Sequence, residues 1–313
     1  MKKSSQEINF AIDKSEFGEI YHIGASMLVN SNVKAWLVYN QTEREIKIHN
    51  DFITNTLGLE RRVNIISRVK CNCLNSIFPD HFSYLSETAD IIVENQKFLK
   101  KICGTFLRGI IPEQENGVEK ILIKRGIKKL DNKPLILVWI RQKKDHAPER
   151  NSTLPSLKRL KERFETDYNI AFIGSDIDGI EDVIRENEFN LVNFHKEEFF
   201  SQSNNSVALQ LAIIKKLQQK YNCIAQLGMM SEAMDGPAIT GLPTIWFAKS
   251  GTKRIDKLSG IEKKEDYKKQ RPAITNFYKV EIKYYAGIKF VNFDDSELGE
   301  VENYLKKFKA IYK

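Results

Sequence analysis

At 313 residues the chain is longer than a usual single domain, and its 42% hydrophobic content supports sizeable cores and argues against a disordered class. The formal charge is +8, but 41 acids are interspersed among 49 bases, which leaves nucleotide-sugars and anionic membrane surfaces open as partners. There is no dense basic arm and no aromatic RNA-binding signature, so dedicated nucleic-acid binding is not expected.

No apolar run reaches the roughly 18 residues of a spanning helix, and MKKSSQEINF has no apolar core behind its lysines, so it does not read as a signal peptide. Cys71-Asn-Cys73 is too tight for the usual metal or redox spacing, and Cys103 and Cys223 stand alone. Reduced thiols in a cytoplasmic protein, in contact at most with a membrane surface, are the expectation.

Ile8 to Ile12 alternates like a strand entering the fold. After it, residues 13–30 set Gly18 and Gly24 around Glu19, Tyr21 and His22. That reads as a loop, either bringing backbone close to a ligand or simply turning. On this reading a helix opens at Ala25, Ala35–Tyr39 is the next strand, and His22 stands near a strand end, open to a cleft. Residues 51–75 read as a helix broken near Gly58, residues 86–107 as a strand and a helix, and 118–126 as either. IKKLDNKP (127–134) is polar and ends in Pro134, which places a domain boundary there. The expected division is one domain over 1–130 and a second over 131–313, with the last helix packing back on the first.

Past Pro134 the pattern sharpens. Leu135–Ile140, Ile170–Gly174, Leu191–Phe194, Asn222–Leu227 and Pro243–Ala248 are short continuous apolar runs. Between them lie helical stretches at 154–167, 180–188 and 206–220, then a short one after Ser231, broken at Asp235-Gly236-Pro237. Alternating buried strands and helices predict an α/β fold with a parallel doubly wound sheet. In such sheets ligands lie at the carboxyl ends of the strands.

Three stretches meet that condition. WIRQKKDHAPERNST (139–153) presents Arg141, Lys143, Lys144, Asp145, His146 and Arg150 directly after a strand. Arginine there clamps a diphosphate through two parallel hydrogen bonds, although a solvated charged loop has the same composition. Gly174-Ser-Asp176-Ile-Asp178 offers a carboxylate to a ribose or base, or caps the next helix. Gly228 to Gly236, with Ser231, Glu232 and Asp235, reads as an anion or sugar site or as an ordinary crossover. No metal spacing occurs among Asp145, His146, Asp176 and Asp178, and there is no GxGxxG, Walker lysine or GxSxG elbow.

Residues 134–248 resemble the nucleotide-sugar half of a GT-B glycosyltransferase and are most similar to the fucosyltransferase-like group, which includes α-1,6-fucosyltransferases. That group carries an H-x-R-(R)-x-D type loop. Here the run is Trp139-Ile140-Arg141 with Asp145 beyond it and no histidine before the arginine. Gly228-Met-Met-Ser231-Glu232 through Gly241-Leu-Pro243 is similar to the G-x-x-S…A…G-x-P run beside the donor.

The resemblance implies two facing Rossmann-like domains and transfer of a sugar from a nucleotide-activated donor to a hydroxyl acceptor, without metal or cofactor. It implies Arg141 and Arg150 on the phosphates, with Asp145, Asp176, Gly228, Ser231, Glu232, Asp235 and Gly236 on the donor. Gly18 and Gly24 then fall on the acceptor side, with His22 or Glu19 as the base. A non-catalytic sugar-nucleotide binding module and a nucleotide-sugar epimerase stay open on the same scaffold.

Overall fold

The computed structural model describes residues 7–12, 17–38, 43–66, 85–108, 110–143, 148–186, 188–203, 205–249, 252–259, 277–282 and 290–311. The order of elements is β1 (Ile8–Ile12), α1 (Phe17–Val29), β2 (Val33–Val38), α2 (Glu43–Asp51), β3 (Val63–Ile66), α3 (Leu85–Glu94), α4 (Leu99–Phe106) and α5 (Pro112–Lys124). There follow β4 (Leu135–Ile140), α6 (Leu154–Phe164), β5 (Asn169–Gly174), β6 (Leu191–Val192), α7 (Glu198–Ser201), α8 (Ser206–Lys220) and β7 (Cys223–Met229). The chain closes with α9 (Asp235–Ile239), β8 (Thr244–Ala248), α10 (Lys253–Leu258), β9 (Phe277–Glu281) and α11 (Asp295–Ile311).

Two parallel sheets result, flanked by helices: an α/β fold. The first has three strands in the order β1-β2-β3, and the second has six in the order β6-β5-β4-β7-β8-β9. Counted from its own first strand, the second sheet runs 3-2-1-4-5-6, so the chain winds outward one way from β4 and the other way from β7.

The pleat of that sheet sorts its side chains onto two faces. Ile136, Val138 and Ile140 join Leu157, Leu160 and Phe164 of α6 and Leu298, Val301, Leu305 and Phe308 of α11. Leu135, Leu137 and Trp139 point the other way, into an apolar cluster that also contains Phe10, Ile20, Tyr21, Phe52, Phe106 and Phe277. This second cluster runs without interruption from the first sheet to the second. Burying each such side chain contributes about 1.5–3 kcal/mol.

Several sequence expectations are corrected here. Residues 17–29 are one helix that already contains Gly18, Gly24 and His22. Every side chain from Ile20 to Met27 is buried, so the helix has no polar face to give it a visible period. Residues 51–66 of the expected 51–75 helix are instead the end of α2, a π turn over Phe52–Thr56, a 3-10 turn over Glu60–Arg62 and strand β3, and 67–75 lie outside the described residues. Residues 86–107, expected to hold a strand and a helix, hold α3 and α4 and no strand, and the described residues of 180–188 form only a 3-10 turn at Ile180–Asp182. The last helix does not cross back; its apolar stripe lies on the second sheet, with Tyr304 and Phe308 against Tyr278 of β9. Helix α5, ahead of the 127–134 stretch, is tied to the second sheet's helices, with Glu119 bonded to Lys216 at 2.9 Å.

Candidate functional site

In a doubly wound sheet the ligand site lies at the carboxyl ends of the strands where the winding reverses, here between β4 and β7. Trp139 pairs with Gly228 and Ile140 with Gly174, so Arg141, Ser175 and Met230 emerge on one edge. Both glycines are required by close approach. A Cβ on Gly228 would lie 2.8 Å from Trp139 Cβ and 2.9 Å from its carbonyl oxygen. Gly174 has φ +107°, and a Cβ there would lie 2.5 Å from the Ile140 carbonyl oxygen.

Arg141 is the first residue past the central strand and is buried, at 5% exposure. Its N–H donates to Ser152 Oγ at 3.0 Å, its carbonyl accepts from the Ser152 N–H at 2.9 Å, and its Nη1 donates to Asn151 Oδ1 at 2.7 Å. Asn151 also accepts from the Lys143 N–H and donates to the Lys143 carbonyl, both at 2.9 Å. One asparagine therefore fixes both the guanidinium and the loop that carries it. Arg150 reaches across to β7, with Nη1 3.9 Å from Met230 Sδ. Thr153 then caps α6, its Oγ1 accepting from the Ser156 N–H at 3.3 Å.

Beneath this edge lies a polar residue in an otherwise apolar strand. Gln226 is wholly buried; its Oε1 accepts from Trp139 Nε1 at 2.6 Å, and its Nε2 donates to the Met234 carbonyl and to Thr244 Oγ1, both at 2.7 Å. Thr244 in turn donates to the Leu242 carbonyl at 2.9 Å. Each hydrogen of the amide is used, so the network fixes the turn between β7 and α9 against the sheet. Reading the sequence for periodicity passed over Gln226; a glutamine inside a strand of buried length is the signal that would have found it.

The remaining expected residues fall in two other places. His22 and Asp235 meet each other, Nε2 to Oδ2 at 2.7 Å, with both side chains at 0% exposure. His22 is therefore not open to a cleft. It lies on the inward face of α1, against the start of α9, and Asp235 is engaged by protein rather than presented to a donor. Tyr21 beside it donates its hydroxyl to the Val207 carbonyl at 2.9 Å, and burial pushes its phenol well above the usual range. A Cβ on Gly236 would lie 2.5 Å from that ring, so this glycine serves helix packing. Gly24 does likewise, since a Cβ there would meet Leu57 Cδ1 at 2.9 Å.

Gly18 lies in the first turn of α1, and Glu19 beside it is half-buried. Asp176 is exposed, accepting from the Ile177 N–H at 3.0 Å and from Asn193 Nδ2 at 3.2 Å. Ser231 follows Met230 and is partly buried. Asp145 and His146, with the side chain of Glu232, lie outside the described residues. The structure thus sets Arg141, Lys143, Arg150 and Ser231 on the loops of one strand edge, beside Gly228 near the end of β7, and sets His22 with Asp235 inside the core. Among the described residues no group of three metal-ligating side chains occurs, and no helix is long and apolar enough to cross a membrane.

No protein-family model matches the chain, and neither does any curated protein sequence. Among solved structures it is similar to a glycosyl transferase family 9 protein from Veillonella parvula, at 11% identity and TM-score 0.46, over 98% of this chain and 91% of that one. It is also similar to the ADP-heptose LPS heptosyltransferase II of E. coli, at 10% identity and TM-score 0.39, over 82% and 89% of the two chains. At these scores the likeness carries nothing about activity, and the architecture stands on the strand order itself.

Proposed function

We propose that the chain is a glycosyltransferase on a GT-B type scaffold, moving a sugar from a nucleoside-diphosphate donor to a hydroxyl-bearing acceptor such as a glycan. The observation that carries this reading is Arg141, held by Asn151 at the winding reversal of a six-stranded parallel sheet. In the reaction the acceptor oxygen bonds the anomeric carbon while the bond from that carbon to the diphosphate breaks. Negative charge gathers on the departing diphosphate, and cations fixed in advance stabilise it without reorganising. Arg141, Arg150 and Lys143 supply that charge, so the reading needs no metal and no cofactor. Ser231 and the backbone around Gly228 take donor hydroxyls or phosphate. Of His22 and Glu19, only Glu19 is partly exposed, and it accepts the acceptor's proton in this reading. A hexosyl or fucosyl donor rests on the sequence resemblance alone.

The enclosure of His22 favours a second reading, a nucleotide-binding module without turnover. A panel of nucleotide-sugars read as free nucleoside diphosphate separates the two. Transfer or hydrolysis releases diphosphate, whereas a module is only protected against heating. Arg141→Lys tests the clamp, because a lysine keeps the charge and loses the planar fork. Turnover is expected to fall roughly 10- to 1000-fold, more than donor affinity weakens, with Arg150→Lys doing less. Near-native turnover in a stably folded Arg141→Lys protein would remove Arg141 from the site.

A further inference from the structure

The turn from Met230 to Asp235, which carries Ser231, is held from three directions. The Met230 N–H donates to the Phe247 carbonyl of β8 at 3.1 Å, and the Met234 carbonyl accepts from Gln226 Nε2 at 2.7 Å. Both of these ties come from the turn's own sheet. The third comes from the other half of the chain: His22, with Nε2 2.7 Å from Asp235 Oδ2. Helix α1 packs on Glu232–Met234 as well as on α9, so Asp235 is tied where the turn ends and α9 begins.

Apolar side chains of similar volume would fill this dry space at little or no loss of stability. They also tolerate small shifts, whereas a hydrogen bond fixes distance and direction. The direction matters because of what else α1 carries. Glu19, His22 and Ser26 recur at intervals of three and four residues, so they share one stripe of the helix. Ser26 is wholly buried and Glu19 half-buried, so the stripe leaves the core at the first turn. Glu19 lies one turn, about 5 Å, ahead of His22 along the axis.

We infer that His22 and Asp235 are positioning residues, their bond setting the turn that carries Ser231 against the helix that carries Glu19. This rests on the transferase reading of the site. Neither residue meets substrate, since both side chains are sealed at 0% exposure.

The test uses the nucleotide-sugar that the parent turns over and the nucleoside diphosphate released from it. His22→Leu with Asp235→Leu removes the bond without stranding a buried charge, so the fold is expected to survive, as thermal unfolding will show. His22→Gln keeps an N–H donor at the reach of Nε2. The double-leucine protein should lose roughly 100-fold in kcat, the cost of a misplacement of about 1 Å, with affinity for the diphosphate near parental. His22→Gln should recover most of that turnover. Should the two leucines not pack, His22→Asn, whose amide is one methylene too short, replaces them and is judged alike. A folded double-leucine protein with parental kcat overturns the inference and leaves the transferase reading standing. So does a glutamine variant as slow as the leucines, or a diphosphate affinity that falls as far as kcat. A parent that releases diphosphate from no nucleotide-sugar overturns the transferase reading and this inference with it.

Discussion

Replacing Gln226 with methionine nearly preserves side-chain volume and removes all three of its hydrogen bonds. The Trp139 Nε1–H and the Met234 carbonyl then lose their partner in a site at 0% exposure. Each group left so costs about 1–3 kcal/mol, whereas Thr244 loses less because its hydroxyl still donates to Leu242. The sum is roughly 2–6 kcal/mol, against about 1 kcal/mol for an average substitution. Gln226→Glu separates hydrogen bonding from shape. An ionised carboxylate still accepts from Trp139 but faces the Met234 carbonyl with nothing to donate, whereas a protonated carboxyl restores one donation. The folded protein then binds a proton that the unfolded chain releases, so stability falls as pH rises above the ordinary carboxyl range. Urea unfolding midpoints, read by tryptophan fluorescence at about pH 5 and about pH 8, test both variants against the parent. The expected result is a methionine variant destabilised alike at both values and a glutamate variant worse at the higher. A methionine variant as stable as the parent, or a glutamate variant indifferent to pH, would refute the account of the network.

Gly236→Ala would push a methyl group against a Tyr21 ring already wedged by Phe52 and Phe106, lowering stability by about 1–3 kcal/mol in calorimetry. Combined with Tyr21→Leu, its cost should be less than additive. Lys279, buried in β9, bonds Asp256 Oδ1 at 2.7 Å and Glu281 Oε1 at 3.1 Å. Lys279→Met strands the Asp256 carboxylate and should cost roughly 3 kcal/mol in chemical denaturation, and adding Asp256→Leu should recover most of it. Glu197 is held below its ordinary value of 4.5, first by its hydrogen bond from Lys124 and also by that from Arg125, with desolvation opposing them. Its folded value is depressed, so the stabilisation is present above pH 4.5 and is lost as pH falls through the folded value. Glu197→Gln should flatten the acid limb of a stability-against-pH curve and leave its neutral plateau less changed.

The second sheet was legible because buried parallel strands are continuous apolar runs. Leu135–Ile140 and the 206–220 helix fall where the sequence places them, and β5 and β8 within a residue. Strand β9 was missed, since Phe-Tyr-Lys-Val-Glu hides its lysine in a salt bridge that only the fold supplies. The first half misled for a related reason. Gly24 looks like a loop residue, yet it sits in mid-helix so that Leu57 can approach. Arg141 and Arg150 announced themselves as cations after a strand. Asn151, which orients Arg141, has no signature until the loop is folded back on itself.

The uninterrupted cluster that joins the sheets bears on any attempt to divide the chain at 127–134. A cut there would leave Ile20, Tyr21 and Ile23 facing water on one fragment and Ala238 and Ile239 on the other. It would also sever the His22–Asp235 bond and the Lys257–Asp90 pair, at 2.6 Å. Heat is therefore expected to melt the intact chain in one cooperative step, and two separate transitions in calorimetry would refute this. The halves are not exchangeable cassettes. A first half grafted from elsewhere would need an aromatic ring opposite Gly236 and a partner for a carboxylate sealed from solvent.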